Sequence, residues 1–201
     1  IYIFYYYIHI TMTDEATTTE AAEVATSEAT STKYMVNTDE SVIEWKGYKP
    51  TGSHVGTIKI ESGVFTVNDG TLESGTFIID MNTIKDNDGS EKLEGHLKSA
   101  DFFNIEKFPT ARFEITKVEE NKGDYNSIIT GNLTILETTK SITFNANIAI
   151  LANSVAINSE DFSVNRQDWQ LNYHSEGDAG VPTDYLIADA IGFTINVALT
   201  K

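Results

Sequence analysis

Two long alternating runs, Val55 to Val67 and Thr71 to Met81, meet at Asn68-Asp69-Gly70. This pair constrains the fold more than any other feature of the chain. Apolar residues at every second position place one face of each run against a core. Asn, Asp and Gly accept the positive φ that a tight hairpin turn needs, so the two runs read as adjacent antiparallel strands. Further runs follow at Ala111 to Glu119, Tyr125 to Leu136, Ser141 to Leu151, Ser154 to Val164 and Tyr185 to Leu199, with Val42 to Tyr48 ahead of the hairpin. Turn chemistry at Asn121-Lys122-Gly123-Asp124, Glu137-Thr138-Thr139-Lys140 and Asn153 separates the later ones. The chain is therefore all-β, with about eight strands.

A sandwich and a closed antiparallel barrel both accommodate such a pattern. Runs of eleven or more residues exceed the usual strand of about five or six, which favours an elongated barrel. Single glycines at Gly63, Gly75 and Gly131 mark places where long strands bend. Eight strands enclose a lumen just wide enough for side chains or one slender ligand.

One interruption stands out. From Lys92 to Ile115 helix formers (Leu93, Glu94, Leu97, Lys98) lead into Phe102-Phe103, then Phe108, and Pro109 marks the stop before alternation resumes at Phe113 and Ile115. A short helix with an aromatic plug, inside a strand-rich chain, reads as a lid on one end of the β-structure. The second informative segment is Phe162 to Tyr173. If Phe162 and Val164 face inward, strand parity carries Arg166 and then Asp168 onto the same file. A buried guanidinium needs an anionic partner, and Asp168 is the natural candidate. Arg166 is then either a structural latch or a cation held at the barrel mouth for a polar ligand head. Trp169 and Tyr173 read as packing residues.

The flanks are different in kind. Residues 1–12 (IYIFYYYIHITM) are apolar and tyrosine-rich, and fit either the remnant of a signal-peptide apolar region or a segment upstream of a start at Met12. Residues 13–33 are Thr, Ala, Glu and Ser with Val24 as the one larger aliphatic residue. Such a segment buries too little apolar surface to offset its ordering entropy, so the expectation is a disordered acidic spacer. Its five acids and one lysine leave 25 acidic and 13 basic residues elsewhere, so the remaining chain is itself acidic. With a net charge of -16 overall, nucleic acid and anionic membrane surfaces are poor partners. The chain has no cysteine, which removes disulfides, thiol catalysis and thiolate metal sites.

The remaining chemistry is sparse. His9, His54, His96 and His174 are far apart in sequence with no metal-ligand spacing, and Asp80, Asp86 and Asp88 do not form an EF-hand loop. No nucleophile elbow, phosphate loop or dinucleotide fingerprint is present. The expectation is no catalytic residue, no metal and no cofactor.

From Tyr34 to Lys201 the chain resembles the YceI-like family, the lipocalin-like polyisoprenoid-binding proteins. The resemblance rests on Trp45 three residues after Val42, the Thr51 to Ile60 run, Gly75-x-Phe77-x-Ile79-Asp80-Met81 and Leu93 to Phe103 with Phe108-Pro109-Thr110-Ala111-x-Phe113. Gly131 to Ile135, Thr139 to Phe144 and Phe162-x-x-x-Arg166-x-Asp168-Trp169-x-Leu171-x-Tyr173 complete it in order. The resemblance implies an elongated eight-stranded lipocalin-like barrel with a short helix packed at one end. It implies a lumen that binds, stores or transports an isoprenoid lipid, a prenyl diphosphate or a quinone, without catalysis. Arg166 and Asp168 would then be mouth residues, and Phe102, Phe103, Phe108, Phe113, Phe144, Phe162 and Trp169 lumen or plug residues. It further implies a periplasmic or secreted location, membrane tethering in some relatives, and often a homodimer. The alternative is a structural or stress-related interaction module whose barrel is filled by its own side chains. Glu137-Thr138 stands where the family usually carries a glycine-containing turn, so a looser hairpin is expected there.

Overall fold

The computed structural model describes residues 14–201; the apolar start at 1–12 and His9 lie outside the described residues. Eight walls close into an antiparallel ring. In chain order the strands are β1 (Thr17–Glu20), β2 (Thr32–Val36), β3 (Val42–Lys49), β4 (Gly52–Asn68), β5 (Thr71–Asp86), β6 (Thr110–Glu120), β7 (Ser127–Ile135), β8 (Thr138–Ile150), β9 (Ser154–Ser159), β10 (Phe162–Asn165) and β11 (Ala190–Thr200). The ring runs β3-β4-β5-β6-β7-β8-β9-β11 and returns to β3. The barrel, not the sandwich, is the outcome.

Ten of the eleven strands make the eight walls, because two walls are broken; β1 is an added strand paired with β8. β2 pairs with β4 and β11 below the start of β3, and β10 continues along β11 where β9 ends. At 17 and 16 residues, β4 and β5 are the longest strands. They are joined by Asp69 and Gly70, both at positive φ. Register shifts between Thr57 and Lys59 and between Ile60 and Ser62 bend this pair, as bulges do in closed barrels. The β7–β8 hairpin is tight, with Ile135 opposite Thr138 and no shift along its length. The looser turn expected at Glu137-Thr138 is not found, because Leu136 itself takes a positive φ of 54° and supplies the conformation a glycine would.

Alternation builds the core. Ile43, Ile58, Ile60, Phe77, Ile79, Phe113, Leu133, Ile142, Phe162 and Ile195 all point inward from their strands and are buried. Six phenylalanines form a continuous file around the interior, Phe65–Phe77–Phe113–Phe144–Phe162–Phe193, with successive ring centroids 4.7–6.3 Å apart. Such spacing suits offset and tilted aromatic contact.

The start of the segment expected to be a disordered spacer, residues 14–20, pairs with the barrel wall. Thr17–Glu20 pairs with Thr143 to Lys140 of β8, and Ala16 N–H donates to Ser163 of β10 at 2.7 Å. β1 therefore fills the gap that opens between β8 and β10 where β9 ends. Farther along, Asn132 holds both backbone groups of Ala22, at 2.9 and 2.6 Å, and Ala25 N–H reaches the Ile115 carbonyl. The composition argument counted apolar burial. What orders this segment is an unused strand edge, whose unpaired backbone groups recruit any extended chain.

Candidate functional site

The helix α1 (Glu91–Lys98) closes one end of the barrel. Ser90 caps it, its Oγ accepting from Leu93 N–H at 3.3 Å. Its start is bound to the end of β5 by reciprocal bonds. Glu94 accepts from Asp86 N–H at 3.1 Å and from Lys85 at 2.9 Å, while the Asp86 carboxylate accepts from Ser90 N–H at 3.0 Å. The helix ends at Lys98, well before Pro109. Ser99 takes an extended conformation and bonds back to the His96 carbonyl, and turns carry the chain to β6. Pro109 instead opens β6, its carbonyl accepting from Met81 N–H.

The hydrogen bonds from Lys85 and from the Asp86 amide hold the Glu94 carboxyl below its usual range, against a smaller opposing effect of burial. A depressed carboxyl stabilises the fold above its unfolded value of 4.5 and loses that contribution as pH falls through the folded value. Amide protection in α1, corrected for intrinsic exchange, should therefore fall on acidification below that point. In Glu94→Gln this acid-dependent component should vanish; identical pH profiles for the two proteins would contradict the anchor.

The lid segment and the Phe162 to Tyr173 segment meet at the same end. Tyr173 lies 4.9 Å from the His96 ring and 5.3 Å from Phe102, ring centroid to centroid. His96 also contacts Asp101 at 3.1 Å, so it belongs to the lid's outer packing. Beneath them lies a cavity of about 130 Å³. Leu97, Phe102 and Phe103 line it from the lid, and Trp45, Phe77, Ile79, Phe113, Phe162 and Phe193 from the walls. Below the phenylalanine file the barrel is filled, with Tyr34, Val67, Leu72, Val155 and Leu199 all buried.

Among the described residues, Arg166 is the one charged residue lining the cavity. Parity holds from Phe162 through Val164 to Arg166, and all three are buried. It fails at the next step, because Arg166–Trp169 coils into a 3-10 turn capped by Asn165. Asp168 is thereby carried off the file, and the expected Arg166–Asp168 pair does not form. The guanidinium instead donates to the carbonyls of Ala188 at 3.0 Å, Ile187 at 3.1 Å and Leu171. Its ion-pair partner is Asp189, at 3.4 Å, which Gln167 holds by a 2.7 Å bond. Burial pushes the guanidinium pKa below its ordinary value, with Asp189, Asp178 and Glu176 acting in the opposite direction. Arg166 thus ties the two stems of the 171–188 loop together, as a latch.

Of the aromatic residues expected at the lumen, Phe102, Phe103, Phe113 and Phe162 line it. The other three do not. Phe144 stacks on Phe162 at 4.7 Å, one layer behind the cavity wall. Trp169 is fully buried and donates its Nε1–H to the Leu133 carbonyl at 3.0 Å. Phe108 lies outside the cavity, under the Lys107 ammonium at 4.6 Å. Sequence reasoning missed Trp45, Phe77 and Phe193 as lining residues, although each sits on the inward parity of its strand and was identifiable from alternation alone.

His54, Asp86 and Asp88 bring ligand-capable atoms within 4.8 Å of one another. Sequence separation hid this group, since His54 and Asp86 lie on different strands. The Asp86 oxygens are already committed, one to His54 at 3.3 Å and one to Ser90 N–H, so the cluster reads as part of the α1 anchor.

An antiparallel ring of eight walls, capped by one helix over an almost wholly apolar interior, defines a lipocalin-like barrel. Residues 34–199 match the family model described as the YceI-like domain, and the chain belongs to that family. A UPF0312 protein of Pseudomonas putida F1 is 28% identical over 128 residues, 62% of this chain and 66% of that protein. Protein YceI of Salmonella newport is 33% identical over 93 residues, 46% of this chain and 48% of that protein. The chain thus spans about half to two thirds of the length of these relatives. Burkholderia cenocepacia BcnA superposes with a TM-score of 0.66 at 15% identity, covering 81% of this chain and 98% of that one. A polyisoprenoid binding domain from Saccharophagus degradans, implicated in plant cell wall breakdown, gives 0.60 at 12% identity over 83% and 97%. At those identities the likeness is one of fold.

Proposed function

We propose that the lumen binds the hydrocarbon chain of an uncharged lipid of isoprenoid type, for storage or transport rather than chemistry. The observation that carries this reading is the cavity under α1, whose lining is apolar except for Arg166. Burying a chain there is favourable by about 0.8 kcal/mol per methylene before ordering costs. A prenyl diphosphate fits less well than a neutral lipid or quinone. Arg166, the only lining cation among the described residues, is already committed to three carbonyls and Asp189, and the chain's net charge of -16 repels an anionic head. Among the described residues the lining holds no titratable side chain besides Arg166, which supports binding over catalysis, since catalysis needs positioned acid and base groups. The description of the Saccharophagus degradans domain as polyisoprenoid binding supports the ligand class.

One observation favours the alternative of a barrel filled by its own side chains. At about 130 Å³ the cavity is smaller than the roughly 300–1,000 Å³ of typical ligand sites. A long chain must therefore displace Phe102 or Phe103 from the lid end. The purified chain should carry extractable neutral lipid in native mass spectrometry. After delipidation it should take up geranylgeraniol in preference to geranylgeranyl diphosphate, and Phe103→Ala should take up more. No uptake by either protein would establish the filled barrel; preference for the diphosphate would overturn the neutral-lipid reading. A periplasmic or secreted location and a homodimer are proposals from the family resemblance, tested by fractionation and by sizing.

A further inference from the structure

The cavity ends abruptly at one level of the barrel. Ile58, Phe77, Phe113, Ile142, Phe162 and Phe193 line it from six strands. Deeper inward positions on the same strands, Ile60, Gly75, Ile115, Phe144 and Val197, are buried and lie outside it. Two glycines would leave room for the cavity to continue. Gly75 on β5 pairs with Phe65 and Gly131 on β7 pairs with Ile115, so both take inward positions without a side chain. That room is used. A Cβ on Gly75 would overlap the Phe65 ring, and one on Gly131 would overlap the far edge of Phe113. Each ring lies in the notch that a neighbouring strand leaves. Phe77 is wedged between these two, its centroid 6.3 Å from Phe65 and 5.3 Å from Phe113, and Phe144 stacks on Phe162. Rings packed on both sides cannot turn without disturbing a close-packed interior. The lid end is braced less, because Phe103 is partly buried and sits in the turns after α1.

We infer that the lumen takes only the terminal one or two isoprene units of a chain, with the phenylalanine file as a fixed stop, and leaves the remainder outside the lid. This rests on the lipid-binding reading above and adds a limit of depth to it. At about 130 Å³ the cavity is close to the roughly 150 Å³ apolar cavity that holds one benzene, so it fits about one isoprene unit as it stands. A second unit enters by displacing Phe103. Lipids of different total length are then bound alike, by the tip of the tail.

The test is a length series of uncharged alcohols, prenol, geraniol, farnesol and geranylgeraniol, which carry one to four isoprene units. Each is titrated below its aggregation threshold into delipidated full chain. Affinity should rise by about tenfold or more from prenol to geraniol. From geraniol to geranylgeraniol it should change by less than about threefold, because units left in water bury no apolar surface. In Phe113→Leu, which withdraws the ring edge from Gly131, the rise should continue to farnesol. Phe77→Leu shortens another ring at the same level and should do the same, so the test does not depend on one variant folding. A climb of about tenfold with every added unit in the wild type would show that the chain is taken in whole, and would overturn the inference. So would a plateau that stays at geraniol in both variants, which would put the stop elsewhere. If the wild type binds none of the four alcohols, the lipid-binding reading itself fails, an outcome distinct from binding without a plateau.

Discussion

Arg166→Met should destabilise the protein by about 3–5 kcal/mol, the range for breaking a buried charged network by removing one partner. Methionine fills similar space and is at home in an apolar cavity, so the loss comes from what is left behind. The carbonyls of Leu171, Ile187 and Ala188 lose their donor, and Asp189, 19% exposed, loses its cation. Each orphaned acceptor costs about 1–3 kcal/mol where water cannot replace the donor. The carbonyls dominate, because the ion pair at 3.4 Å is long and partly exposed. Asp189→Asn should therefore cost clearly less than Arg166→Met in denaturant titrations at constant slope. Equal losses would assign the stabilisation to charge pairing and remove the latch argument.

Gly56→Ala should have the second large effect, a loss of about 3 kcal/mol at the upper end of the range for overpacked sites. A Cβ at this position would lie 1.9 Å from the Lys85 carbonyl oxygen and 2.4 Å from the Trp45 ring. The carbonyl belongs to the neighbouring strand, where Asp86 pairs with Gly56, so it cannot move without disturbing that ladder. The indole edge covers Gly56 directly, and displacement would push Trp45 into the cavity. The same substitution at Gly95, on α1, should have the opposite sign. Nothing lies within 4 Å of a Cβ there, and alanine raises helix stability by about 0.5–1 kcal/mol relative to glycine. Melting temperatures of the two variants should move in opposite directions; a neutral Gly56→Ala would show that β4 and β5 are less tightly packed than described.

Both effects concern groups whose partners come from distant parts of the chain, and this marks the limit of what the residues alone disclose. Alternation in Val55 to Val67 and Thr71 to Met81, with Asp69-Gly70 between them, was enough to define the central hairpin and the inward faces. Side-chain direction in a strand is a local property with a period of two. The same parity, taken from Phe162 and Val164, placed Arg166 inward, and all three are buried. The helical start of the lid was equally local, a matter of a run of helix formers.

Where local rules broke, the reading broke with them. The 3-10 turn at Arg166–Trp169 ended the parity that would have joined Arg166 to Asp168, and the anionic partner came instead from Asp189, just before β11. Residues 13–33 carry too little apolar surface to order by themselves. Residues 14–20 are nonetheless held by the edges of β8 and β10, which no property of that segment announces. Phe108 and Phe102 look alike in sequence, yet one lies under Lys107 outside the barrel and the other against the cavity. By itself, then, the sequence determined the strands, their inward faces, the lid helix and the all-β class, since these follow from the preferences of neighbouring residues. Only the tertiary structure decided the bonding of Arg166 and the docking of the N-terminal segment. Each of those depends on which backbone groups distant strands leave exposed once the barrel has closed.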